Sequence, residues 1–127
     1  MFELTINGQV YQFHFGMGFM REINKTVNRP VDGLPDVKKN IGANMKFAGL
    51  IDGDVEDLVD VLVVANKGQN PRVTAALLDS YIDNECEDID KLFVDVLDFL
   101  KSANATKKAM KAILEAVEEE KAKRNAK

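Results

Sequence analysis

A chain of 127 residues, 46% of them apolar, with no Trp and a single Cys, has the size of one domain. That lone Cys86 excludes an intramolecular disulfide and any multi-cysteine metal site, and it fits a reducing, intracellular setting. The net charge of −4 is unevenly spread, with nine Lys and Arg against 17 Asp and Glu in residues 1–100 and eight against four in 101–127; an acidic body of this kind argues against nucleic-acid binding by phosphate neutralisation.

Residues 2–15 alternate around Asn7-Gly8, the dipeptide preferred in two-residue hairpin turns because both positions need positive φ. The expected hairpin places Phe2, Leu4 and Ile6 opposite Phe13, Tyr11 and Gln9 on one greasy face, with Glu3, Thr5, Val10 and Gln12 on the other. Two strands alone are marginal in water, so the aromatic face must lie on something. After Gly16-Met17-Gly18 the apolar period becomes helical, with Met20, Ile23 and Val27 inward. The segment PVDGLPD, residues 30–36, reads as a loop, and Asp36 as the cap of a helix carrying Val37, Ile41, Met45 and Ala48. Asp54 caps a helix over 55–66 that points Val55, Leu58, Val59 and Leu62 inward, stopped by Gly68, Asn70 and Pro71. Thr74 caps a shorter helix with Leu77, Leu78, Tyr81 and Ile82. Asp88 caps the strongest one, where Ile89, Leu92, Phe93, Val96, Leu97 and Leu100 keep an unbroken helical stripe.

Ser102 to Thr106 reads as a polar hinge. Beyond it Ala109, Met110, Ile113, Leu114 and Val117 form a last stripe, and the closing EEEKAKRNAK is expected to fray. The fold class is α+β, mainly α: an N-terminal β-hairpin followed by about six helices. Residues 1–104 hold the hairpin and helical core, and 105–127 the C-terminal helix and basic tail of the same single domain. No apolar run approaches the ~18–20 residues of a membrane span, and the N-terminus lacks the regions of a signal peptide.

Tests for chemistry return little. The strand, Gly16-Met17-Gly18 and helix have the order of a phosphate-cradling loop, but a dinucleotide fingerprint requires glycine where Arg21 stands, and a parallel βαβ unit where a hairpin stands. Gly16 and Gly18 are read instead as a joint that folds the hairpin onto Met20 and Ile23. His14, the only histidine, falls on the polar hairpin face without a partner. Cys86 is flanked by Glu85 and Glu87, not by a cation that would favour a thiolate. The loops starting at Asp52 and Asp83 begin like calcium loops, but Asp57 and Asp88 occupy the position of the required glycine, and Val63 and Val94 that of the bidentate glutamate. No cofactor, metal, nucleic acid or membrane is expected. The 13 acids against three bases between residues 52 and 98 read as a solvated face, with a docking surface for a basic partner as the alternative.

Three segments in order, FELTINGQVYQFHFGMGFMREINK, AGLIDGDVEDLVDVLVVANKGQNPRVT and LLDSYIDNECEDIDKLFVDVLDFLKSANATKK, resemble the tail assembly chaperones of siphophages and prophages of Gram-positive bacteria. The resemblance spans nearly the whole chain and implies a non-enzymatic assembly factor of the short, G-like form. It would act in the bacterial host cytoplasm and be absent from the mature virion. It would coat the helical tape measure protein and keep it soluble, with possible self-association, while a frameshifted longer form recruits the major tail protein. A holdase needs exposed apolar surface, and two candidates stand out. One is the stripe Met110, Ile113, Leu114 and Val117; the other is the aromatic set Tyr11, Phe13 and Phe15. The alternative reading is a small acidic regulatory or inhibitory protein-interaction module.

Overall fold

Asn7 and Gly8 adopt φ of 51° and 78°, the turn that joins β1 (Phe2–Ile6) to β2 (Gln9–Phe13). The register pairs Phe2 with Phe13, Leu4 with Tyr11 and Ile6 with Gln9, as the alternation predicts. In this computed structural model, which describes residues 1–125, the hairpin is followed by α1 (Met17–Lys25), β3 (Asn28–Val31), β4 (Leu34–Asn40), α2 (Gly42–Ile51), α3 (Val55–Ala65), α4 (Ala75–Asn84), α5 (Ile89–Ser102) and α6 (Lys107–Asn125).

The two hairpins have opposite fates. The first buries Phe2, Ile6, Tyr11 and Phe13, and an aromatic cluster joins Phe2 to Phe13, Phe15 and Phe99 and joins Phe15 to Phe19. The second, β3–β4, was expected as a loop and a helix start. Instead Asp32-Gly33, with Gly33 at φ 78°, turns the chain so that Val31 pairs with Leu34 and Asn28 with Asn40. Turn chemistry next to a short alternating run prevails over helix capping by Asp36. Val37 lies within β4 and so does not begin a helix, and nearly all of this hairpin is exposed.

The next helix therefore starts later, and its face is rotated from the expected one. Ala43, Phe47 and Leu50 are buried, while Met45 is exposed and Ile41 precedes the first turn. Helix α2 packs against α1, α3, α5 and α6, which makes it the centre of the bundle. Its two glycines are places of contact. A side chain at Gly42 would collide with the Ile23 carbonyl at the end of α1, and one at Gly49 with the Asp57 carboxylate on α3. The Asn24 side chain on α1 accepts a hydrogen bond at 3.0 Å from the Ala43 amide, capping α2 from a neighbouring helix.

The remaining helices follow their caps. Asp54, Thr74 and Asp88 accept hydrogen bonds from the amides of Asp57, Leu77 and Lys91 at 3.0–3.1 Å, and α5 buries Leu92, Phe93, Val96 and Leu100. Val55 is an exception, keeping more than a third of its surface exposed at the start of α3. At the C-terminus α6 continues through Asn125, so Glu118–Asn125 are helical, contrary to the expected fraying; residues 126 and 127 lie outside the described residues.

Asn66, at the end of α3, closes the junction between hairpin and helices. It is fully buried, donating from Nδ2 to the carbonyls of Gln12 (2.9 Å) and Pro71 (3.2 Å). Its Oδ1 accepts from the Val73 amide (2.6 Å) and the Arg72 guanidinium (2.8 Å). Two donors and two acceptors exhaust the side chain's capacity. Alongside, the His14 amide donates to the Ala65 carbonyl at 2.8 Å.

Replacing Asn66 with Ala strands several of these groups at once, and urea unfolding should show a loss of about 3 kcal/mol or more. Gly42→Ala should also destabilise the fold, because the Ile23 carbonyl cannot move without breaking the end of α1; thermal unfolding would read this as a lowered Tm.

Candidate partner-binding site

Helix α6 follows α5 through a short hydrogen-bonded turn. The Ala103 amide donates to the Phe99 carbonyl, and the Lys107 amide to the Ala103 carbonyl. Thr106 is fully buried, and its hydroxyl donates to the Leu100 carbonyl at 2.6 Å, satisfying an acceptor at the C-terminus of α5 that would otherwise lack one. The polar residues 102–106, expected as a hinge, are thus a fixed corner. Met110 then enters the core completely, and the first turns of α6 pack on α2 and α5.

Along the same stripe burial declines. Ile113, Leu114 and Val117 are each half-buried, because α6 outruns the helices that support its first turns. Beside Leu114 an open groove of about 800 Å³ is lined by Lys101, Lys107, Lys108, Lys111, Glu115, Glu118 and Glu119. None of these four lysines forms an ion pair among the described residues. Their alkyl stems extend the apolar surface while the ammonium groups stay wet.

The sequence-predicted residues therefore separate. Phe13 is completely enclosed and Tyr11 and Phe15 nearly so, hence the aromatic face of the hairpin is occupied by the protein's own core. Met110 shares that fate because its position, one turn into α6, faces α2 and α5. Ile113, Leu114 and Val117 keep accessible surface, and the structure does not bring them together with the aromatic set.

Residues weighed for chemistry also have structural surroundings. His14 is exposed, with its ring against Gly16, where a Cβ would clash with it. Gly18 has open space around it, and a Cβ at Gly16 would meet only the movable ring of exposed His14, so the glycines do not serve a close approach to Met20 or Ile23. Cys86 is half-buried, and its amide donates to the Tyr81 carbonyl at 2.8 Å. Burial raises the Tyr81 phenol above its ordinary value. Among the described residues no group of three or more His, Cys, Asp or Glu could hold a metal ion, and no helix is long and apolar enough to cross a membrane.

One surface falls within the acidic stretch 52–98, for which a docking surface for a basic partner was the alternative expectation. Between α3 and α4 runs a second groove, of about 420 Å³, with Val55, Val59, Ala75 and Ile82 between Glu56 and Asp60 on one side and Asp79 and Asp83 on the other. Lys46 of α2 reaches its edge, bonding Asp57 at 3.2 Å and Asp60 at 2.8 Å. The i, i+4 spacing of carboxylates on two helices was the signal for this groove, whereas the sequence reading took the acids of 52–98 together, as a solvated face or, alternatively, one docking surface.

Comparison with known proteins gives a single finding. The model of one family, described as phage tail assembly chaperone protein, matches residues 3–115. No curated protein and no solved structure matches the chain.

The Asp60 hydrogen bond, first among the causes, raises the Lys46 ammonium above its ordinary value, against an opposing effect of burial. A raised lysine stabilises the fold while protonated, fully below its unfolded value, and loses that contribution as pH rises through its folded value. The difference in urea stability between wild type and Lys46→Met should therefore be flat from about pH 7 to 9 and shrink above about pH 10.5.

Proposed function

We propose, from the premise that the chain belongs to the phage tail assembly chaperone family, that it binds the tape measure protein of a siphophage or prophage of a Gram-positive host and keeps it soluble until the tail tube assembles around it. It acts in the host cytoplasm without catalysis and is left out of the mature virion. A frameshifted longer form brings the major tail protein to the same complex.

The observation that carries client binding is the graded burial of α6. Met110 anchors the helix in the core, Ile113, Leu114 and Val117 then keep accessible surface, and Leu114 continues into an open groove lined by Lys101, Lys107, Lys108 and Lys111. A rigid, partly exposed apolar stripe is suited to hold the apolar face of a long helix, because little conformational entropy is lost on the chaperone's side. A surface of this type recognises apolar helical faces as a class, which fits a holdase for an elongated client.

Replacing Ile113 and Leu114 with Asp should abolish co-purification of co-expressed tape measure protein and return it to the insoluble fraction, while circular dichroism retains the helical signal. Unchanged solubility of the client would place the contact elsewhere.

A further inference from the structure

The groove between α3 and α4 is not used by the α6 contact, and its chemistry is different. Its floor is aliphatic, formed by Val55, which leaves 39% of its surface exposed, with exposed Ala75, half-buried Ile82 and buried Val59. Two rows of carboxylates border the floor, Glu56 and Asp60 along α3 and Asp79 and Asp83 along α4. Each row has i, i+4 spacing, which sets like charges side by side on one helix face.

Three features of this arrangement work against the free chain. Both rows repel internally. Asp83 lies in the last turn of α4, where the negative end of the helix dipole opposes a carboxylate and no basic residue offsets it. Only Asp60 has a cation, Lys46; Glu56, Asp79 and Asp83 form no ion pair among the described residues. A cationic occupant relieves all three at once, while the floor asks for aliphatic side chains between the cations.

We infer that the α3–α4 groove docks an amphipathic helix of a client protein in which an aliphatic stripe is bordered on both sides by Lys or Arg. The parallel acidic rows set the spacing of that helix's basic rows, and the floor takes its apolar side chains. This rests on the client-holding reading above and adds to it a second, charge-selective contact. The α6 stripe holds apolar surface with little regard to charge. The groove, in contrast, selects basic-flanked segments, and its hold weakens with salt.

The probe is a fluorescein-labelled peptide of about 18 residues, long enough to form a helix, with a Leu stripe between two rows of Lys. Fluorescence anisotropy with the full chain should show saturable, salt-sensitive binding, and none for the same peptide with Glu replacing Lys. The double variant Asp79→Lys/Asp83→Lys should weaken binding about tenfold or more, and Val55→Ser should weaken it without changing the salt dependence. Glu3→Lys/Asp98→Lys changes net charge equally at exposed positions elsewhere and should leave affinity within about twofold. Equal weakening by both double variants would reduce the interaction to net charge and overturn the proposal. So would an anisotropy that falls again as the chain is raised to concentrations where it self-associates, which would make the occupant a second copy. Co-expression keeps the two readings apart. Groove variants that solubilise the tape measure protein as wild type does overturn the groove alone, whereas wild type that fails to solubilise it overturns the chaperone reading.

Discussion

The four hydrogen bonds of Asn66 tie the end of α3 to the nearby 71–73 segment that leads into α4 and, across 54 residues of sequence, to β2 through Gln12. Without a buried amide there, the carbonyl of Gln12 and the amide of Val73 would face a core that offers no water. The hairpin's aromatic face is thereby held on the helices, and Phe2 and Phe15 reach Phe99 of α5. A two-stranded sheet too small to stand alone becomes one wall of the core.

The helical layer depends on close approach as much as on apolar burial. Gly42 lets the start of α2 touch the end of α1, and Gly49 lets its C-terminal half meet Asp57 of α3. That proximity in turn puts Lys46 within reach of Asp57 and Asp60. Glycines that lower helix propensity by roughly 1 kcal/mol each are here the condition for α2 to sit at the centre of the bundle. The second hairpin is the counterexample, since β3–β4 projects with almost no burial.

These constraints leave two surfaces of unlike character. The stitched corner at Thr106 fixes the start of α6, so its stripe passes from core to solvent in a set direction. The α3–α4 groove combines an aliphatic floor with carboxylates on both borders. Under the proposed function a helical client would meet two rigid surfaces, one apolar and one bordered by charge.

Local rules were sufficient for much of the fold. Asn7-Gly8 set the first hairpin and its register, and Asp54, Thr74 and Asp88 marked three helix starts because a cap acts within its own turn. Periodicity alone identified the buried face of α5. The second hairpin was also legible in Asp32-Gly33, but the capping signal of Asp36 competed with it over the same residues. Which apolar side chains remained for a partner could not be read locally: Tyr11, Phe13, Phe15 and Met110 match Ile113, Leu114 and Val117 in polarity, and differ only in whether another element covers them. Nor could the role of Asn66, whose partners span residues 12 to 73, or the opposed acidic rows of α3 and α4. Sequence determined the elements, through interactions a few residues long; tertiary structure decided which faces were consumed and which were left open, because burial is set by neighbours distant in the chain.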